Sequence, residues 1–420
     1  MKLQSTSIQE RIPSLDFLRG IAVLGILLIN IESFAYPNPW SSWQYGYENE
    51  IDYHVRFWVY FLTQGKFYTM FALLFGVGFV VFLDRVQRKV EGLDVLDIYA
   101  RRIFWLFIMG LIHSYFIWDG DILYHYAICG LLLLPFRSMK RRSIVIALFL
   151  LLAIPLFKSY ENVGKRQDTF QKYSQAVGKS PEKRSAAEEK TVKNWENRYA
   201  EKTFEYKEVE APRQTYWEGV KHSFKEGQVL DGAFYYDSII FSSLIVMLVG
   251  MLFYRSGIFS DYRVWQFYWP IAIGVLVLGL AVNAFRYYHW TYLDHEPILE
   301  FWKGWSFTFP KEILGIGYVL ILNGVYQMFL KSWKLGWLTA IGRTALSNYI
   351  VQSLILGILF YGYGFGLHNQ ISRVELLGFV IGIWILQIIL TKVWLRFYTQ
   401  GPLEMIWRKL TYGFLAPKET

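Results

Sequence analysis

The sequence predicts an all-α integral membrane protein, a bundle of about ten transmembrane helices with one extracytoplasmic helical insertion. Composition is the first observation behind this. Of 420 residues, 54% are hydrophobic, 19% aromatic and only 18% charged, too apolar for a soluble chain of this length. Apolar runs are the second. A spanning helix needs about 20 apolar residues, because a hydrocarbon core of about 30 Å is crossed at about 1.5 Å per residue. Such runs fall near 14–35, 66–83, 103–118, 122–137, 143–157, 238–254, 265–285, 309–330, 338–364 and 374–395. The third observation is the charge of the short connections, since those rich in Lys and Arg stay in the cytoplasm. Basic connections carry Arg85, Arg88, Lys89, Arg101 and Arg102, then Arg137, Lys140, Arg141 and Arg142, then Lys331 and Lys334. Residues 36–55 and 118–121 hold no Lys or Arg, but do hold Glu48, Glu50, Asp52, Asp119 and Asp121. The alternation stays in phase along the chain and predicts both termini in the cytoplasm.

The net charge of +9 is accounted for by this topology, so no nucleic-acid partner is expected. Membrane lipids are. The single cysteine, Cys129, lies in an apolar run, so neither a disulfide framework nor a thiolate metal site is expected, and no metal is. The first run begins after about a dozen residues, lacks a small-residue cleavage signature and holds Asp16, Arg19 and Asn30, so it is expected to be retained.

Three regions follow: an N-terminal transmembrane half, 1–157, a polar insertion, 158–236, and a C-terminal transmembrane half, 237–420. In the insertion, Trp195, Tyr199, Phe204, Tyr206 and Tyr216 recur at loose helical spacing. That pattern suits amphipathic helices on the membrane surface or over the bundle, and a disordered linker is the alternative.

Ionisable groups inside spans are costly in lipid and so are candidates for function. Arg19 and Asn30 are eleven residues apart, on one helical face and about 16 Å apart along the axis. Anchoring to lipid phosphate and a helix-to-helix hydrogen bond are the plainer readings. The apolar stretch 56–83 is too long for one span, and Gln64, Gly65 and Lys66 predict a break within it. Lys66 then lies at the outer end, near Asp52 and His54. His113 sits about ten residues into the third run, and the chain turns through Asp119-Gly120-Asp121 into the fourth. The two aspartates either tune and orient that imidazole as a general base or cap the next helix. Lys311 and Glu312 enter the eighth run together, while Arg343, Ser347, Asn348 and Gln352 line the inner half of the ninth. No P-loop, HExxH or GxSxG occurs.

Five motifs occur in order: Ser14-Leu15-Asp16-Phe17-Leu18-Arg19-Gly20 followed by Asn30, Gly65-Lys66-Phe67 with Phe71 to Gly76, Trp118 to Leu123, Gly342 to Tyr349, and Gly401-Pro402-Leu403-Glu404 before Trp407-Arg408. With them the chain resembles the YeiB family of bacterial membrane proteins, over nearly its whole length except 158–236. That family is similar in turn to the transmembrane acyltransferase superfamily, including the membrane acyltransferase-3 enzymes and lysosomal heparan-glucosaminide acetyltransferase. The resemblance implies a donor tunnel for cytoplasmic acyl-CoA, with acetyl-CoA the expected donor, and a sugar or cell-envelope acceptor outside a bacterial cell membrane. In the acyltransferase-3 branch an arginine is followed eleven residues later by a catalytic histidine. Here that position is Asn30. The lysosomal branch places its histidine in the next luminal loop, where this chain offers His54 beside Asp52.

The expected catalytic set is therefore His113 with Asp121 and Asp119, or His54 with Asp52, with Asn30 close by. Arg19, Lys66, Arg343, Asn348 and Gln352 are the expected donor-binding residues. A transporter or flippase of a small or lipid-linked substrate is the rival reading, and a homodimer is left open.

Overall fold

The computed structural model describes residues 12–37, 39, 48–90, 92–199, 215–225, 237–293, 295–330 and 336–413. Sixteen α-helices make up the described fold, and no strand occurs among the described residues. They are α1 Pro13–Ala35, α2 Glu50–Thr63, α3 Lys66–Gln87, α4 Asp94–Phe116, α5 Leu123–Leu132, α6 Arg141–Val177, α7 Ala186–Tyr199 and α8 Tyr216–Lys225. Then follow α9 Asp237–Ser256, α10 Tyr268–Tyr292, α11 Phe301–Ser306, α12 Pro310–Val325, α13 Gly336–Arg343, α14 Ala345–Phe360, α15 Arg373–Trp394 and α16 Pro402–Tyr412.

A helix meets each of the ten expected spans, but the helices are not equal. Six are long and apolar enough to cross a membrane: α1, α2 with α3, α6, α10, α12 and its π-helical extension, and α15. A seventh arises if α13 and α14, bent by 81° at their junction, count as one span. Helix α5 and the apolar part of α9 are shorter, and α4 opens with Asp94, Asp97, Arg101 and Arg102. The chain thus has the character of a multi-pass membrane protein.

Helices approach closely where glycine replaces a side chain, the device that lets apolar helices associate without a hydrophobic driving force. A Cβ on Gly20 would overlap the Leu338 carbonyl, and one on Gly342 would overlap that of Asp16, so α1 and α13 cross backbone to backbone. Gly76 and Gly250 do the same for α3 and α9, against Met247 and Leu73. The expected break falls at Gln64 and Gly65, where Gly65 has φ +79°, a value open to glycine because it lacks Cβ.

One end of the bundle is tied by buried polar bonds. Arg373 donates to Glu32 at 2.5 Å, and the Tyr60 hydroxyl donates to the same carboxylate at 2.6 Å. Arg56 donates to Thr291 at 3.1 Å and lies over the rings of Tyr60 and Trp290. In this dry setting each charge needs its partner, because an isolated buried ion costs several kcal/mol.

The insertion begins without a seam. Helix α6 runs through residue 157 as one piece of 37 residues with Pro155 inside it, about 55 Å long at helical rise. Helix α7 packs on its distal part, with Trp195 stacked on Tyr173 and in contact with Phe170 and Tyr199. Helix α8 packs on α4, where Phe224 stacks on Tyr115 at 4.4 Å and meets Phe116 edge-on. Phe204 and Tyr206 lie outside the described residues.

Candidate functional site

His113 lies in the last turn of α4 and is buried, 1% exposed. Its Nδ1 is 2.7 Å from Asp121 Oδ1, and the same carboxylate's Oδ2 accepts from Leu123 N at 2.7 Å and Tyr124 N at 3.1 Å. The two readings of Asp121, helix cap and histidine partner, are both realised by one side chain. The α5 amides hold the carboxylate still, and it in turn fixes the imidazole. A carboxylate facing Nδ1 favours the tautomer with its proton there and leaves the lone pair on Nε2. That Nε2 is buried and has no hydrogen-bond partner. Its ring sits between Trp118, at 6.2 Å edge-on, and Tyr349, at 5.1 Å. Asp119 is half-exposed in the turn, and only Asp121 bonds to the ring among the two aspartates.

A cavity of about 820 Å³ opens at the end of the bundle opposite the Glu32–Arg373 pair. Cations line its mouth: Arg19, Arg85, Arg88, Arg102, Arg343 and Arg408. Its walls turn apolar farther in, with Phe71, Phe75, Leu106 and Ile122, and Tyr126 and Tyr349 stand among them. Arg19 pairs with Asp16 at 2.9 Å, Arg343 donates to the Thr399 carbonyl at 2.5 Å, and Arg102 lies 3.7 Å over the Trp407 ring. Tyr349 is the residue that both lines the cavity and touches the His113 ring. From Arg102 to His113 is eleven residues of α4, about 16 Å along the axis.

Glu404, from α16, closes the bend between α13 and α14. It accepts from Leu346 N at 2.7 Å, Ser347 N at 3.2 Å and Ser347 Oγ at 2.5 Å. Burial raises its pKa above the ordinary carboxyl value, against the lowering pull of those donors. The Gly-Pro-Leu-Glu motif thus has a physical role, a side-chain cap supplied from a distant helix.

Other expected site residues lie elsewhere. Lys66 is fully buried, donates to the Tyr60 carbonyl at 2.9 Å and lies 4.1 Å over the Tyr287 ring, so it is neither an anchor at the outer end nor a cavity cation. Asn348 and Gln352 point away from the cavity into an amide network with Thr344, Gln387, Thr391 and the Val23 carbonyl. These are helix-to-helix bonds between α1, α14 and α15. Asp52 is buried and accepts from Glu48 N, Asn49 N and Val374 N, which uses it as a cap that joins the starts of α2 and α15. His54, two residues on, is exposed, so the two do not form a pair. Asn30 is half-buried on α1.

Arg408 and Tyr349 are not among the expected site residues and are visible in the sequence only as members of motifs, while Arg102 enters the expectation only as one of the basic inner-loop residues that would join Arg19 and Arg343 at the CoA phosphates. Glu32 gave a signal, a carboxylate near the end of an apolar run, that no spacing argument linked to Arg373.

A family model described as a protein of unknown function, DUF418, matches residues 253–414. The chain is similar to the uncharacterized protein YxaH of Bacillus subtilis, with 28% identity over 98% of this chain and 96% of the relative. It is similar to the uncharacterized protein YeiB of Escherichia coli, with 29% identity over 97% of this chain and 98% of that protein. An uncharacterized 39.9 kDa protein of Bacillus acidopullulyticus is 28% identical over 98% of this chain. No solved structure matches the chain significantly. The match to the DUF418 model and the end-to-end similarity to YeiB and YxaH support a YeiB-like family for this chain.

Proposed function

We propose that the protein is a membrane acyltransferase, moving an acyl group from cytoplasmic acyl-CoA to a sugar or envelope acceptor on the outer side. The observation that supports this best is the alignment of one cavity with one base: a cationic mouth, an apolar throat, and Tyr349 at its wall against the His113–Asp121 pair. Guanidinium groups suit the phosphates of CoA, which they bind in bidentate fashion. His113 Nε2 takes the proton of the acceptor hydroxyl or amine as that group attacks the thioester carbonyl. Asp121 holds the ring and favours the imidazolium that results.

The 81° bend between α13 and α14 favours a transporter instead, since broken helices often line substrate paths. Radiolabelled acetyl-CoA supplied to inverted membrane vesicles separates the two readings, because such vesicles carry their own envelope acceptors. The proposal expects label in the envelope fraction only where the protein is present, and acetyl-CoA bound by the purified protein. If the purified protein does not bind acetyl-CoA, the proposal is wrong.

A further inference from the structure

The cations of the cavity are held in different ways. Arg19 is paired with Asp16, and Arg343 donates to the Thr399 carbonyl. Arg102 has no such anchor. Among the described residues its guanidinium makes no hydrogen bond and no ion pair, although Arg101 beside it is paired with Asp97. Two rings of the cavity wall hold it instead: its central carbon lies 3.7 Å from the centroid of Trp407 and 4.9 Å from that of Phe82. Trp407 is itself fastened, since its Nε1 donates to the Arg102 carbonyl at 2.8 Å. Stacking occupies the flat face of a guanidinium and leaves the N–H donors, which lie in its plane, for an acceptor. A cation–π pin between α3, α4 and α16 accounts for the rings. It gives those donors nothing to bind.

Length decides which phosphate of CoA they can meet. Arg102 lies over Phe82, and Phe71 is the first residue of α3 on the cavity wall. The eleven residues between these two rings cover about 16 Å at helical rise. In CoA the arm from the diphosphate to the sulfur is a chain of about 13 bonds, about 15 Å long at the advance of an extended backbone. With the diphosphate at Arg102, the arm runs the length of the apolar wall and brings the sulfur level with Phe71. The ribose phosphate lies several bonds farther from the sulfur. With that group at Arg102 instead, the arm would overrun the inner end of the wall.

We propose that Arg102 binds the diphosphate of the donor in a bidentate contact, and so sets how far the thioester reaches into the bundle. This rests on the acyltransferase reading. The rings of Phe82 and Trp407 hold the guanidinium in place for the ligand, so that little side-chain entropy is lost when the donor arrives.

The test measures the affinity of purified full-length protein for acetyl-CoA and for acetyl-dephospho-CoA, which keeps the diphosphate and lacks the ribose phosphate. Arg102→Gln should weaken both by the same factor, about 10–100-fold, the usual worth of a hydrogen bond to a charged group. Arg102→Lys should weaken both by less, because a point charge remains where the fork is lost. If the glutamine variant does not fold, the lysine variant still gives the comparison, since the equal factor is read from it as well. A loss for acetyl-CoA alone assigns Arg102 to the ribose phosphate and overturns the inference, and so does a wild type that binds acetyl-CoA but not acetyl-dephospho-CoA. Unchanged affinities overturn it too. An equal loss in the two variants does the same, because a merely structural pin gains nothing from the charge of lysine. Each of these leaves the acyltransferase reading standing. Failure of the wild type to bind acetyl-CoA at all overturns that reading itself.

Discussion

His113 shows how much a single residue's neighbours decide. A histidine in an apolar run with two nearby aspartates is legible in the sequence, and so is the choice between a capping and an orienting aspartate. What the sequence hid is that Asp121 has two oxygens and gives one to each task. If His113 is the base, His113→Ala should lower acyl transfer in vesicles by about 10²–10⁴-fold while acetyl-CoA binding persists. Asp121→Asn should lose activity as well, because the amide keeps the shape but not the charge. Transfer that survives in His113→Ala and vanishes in His54→Ala would move the centre to the exposed start of α2. At the cavity mouth, Arg19→Ala should weaken acetyl-CoA binding more than Arg19→Lys does, since lysine keeps a point charge near the phosphates. Equal, intact binding in both variants would remove Arg19 from the donor site.

Among the elements, the bent pair of α13 and α14 depends on two features, a glycine crossing and a borrowed cap. Gly342→Val would drive its side chain into the Asp16 carbonyl, and overpacking of this kind costs about 1–3 kcal/mol. A lowered melting temperature for that variant, measured in detergent, checks the crossing. The cap should be sensitive to pH in a stated direction. Burial raises the pKa of Glu404 in the folded protein, so the folded state holds its proton to a higher pH than the unfolded chain does. Its contribution is therefore full below the ordinary carboxyl value and is lost as pH rises through the folded one. His368 acts in the opposite sense. It lies between α14 and α15, is 2.7 Å through Nδ1 from the Phe34 carbonyl, and has its pKa lowered by burial. Its contribution is present above the ordinary imidazole value and is lost as pH falls through the lower, folded one. Melting temperatures of the wild type against Glu404→Gln and His368→Gln across about pH 4–8 should show each slope vanish in its own variant.

For the whole molecule, helix positions were readable because a twenty-residue apolar run has few other meanings. The unequal lengths were not, since hydropathy does not show where α5 stops or that α6 carries on past the expected edge of the insertion. Lys66, Asn348 and Gln352 misled for a shared reason: a polar residue in a span reports that it needs a partner, not whether that partner is substrate or backbone. The orientation drawn from loop charge predicts that a cysteine placed at Ser185 reacts with an impermeant reagent on intact cells. Protection that disappears on lysis would reverse the orientation. Cys129, the one native thiol, is fully buried, so the unmodified protein should give almost no background signal in that experiment. Helix α6 has a practical consequence of a different kind. At about 55 Å it exceeds the hydrocarbon core by about 25 Å, and α7 braces the excess with stacked rings. Most proteins of this size vanish inside a detergent micelle when imaged as single particles, leaving nothing by which to tell one view from another. This one should carry its own alignment mark, a stalk that gives every particle a visible top.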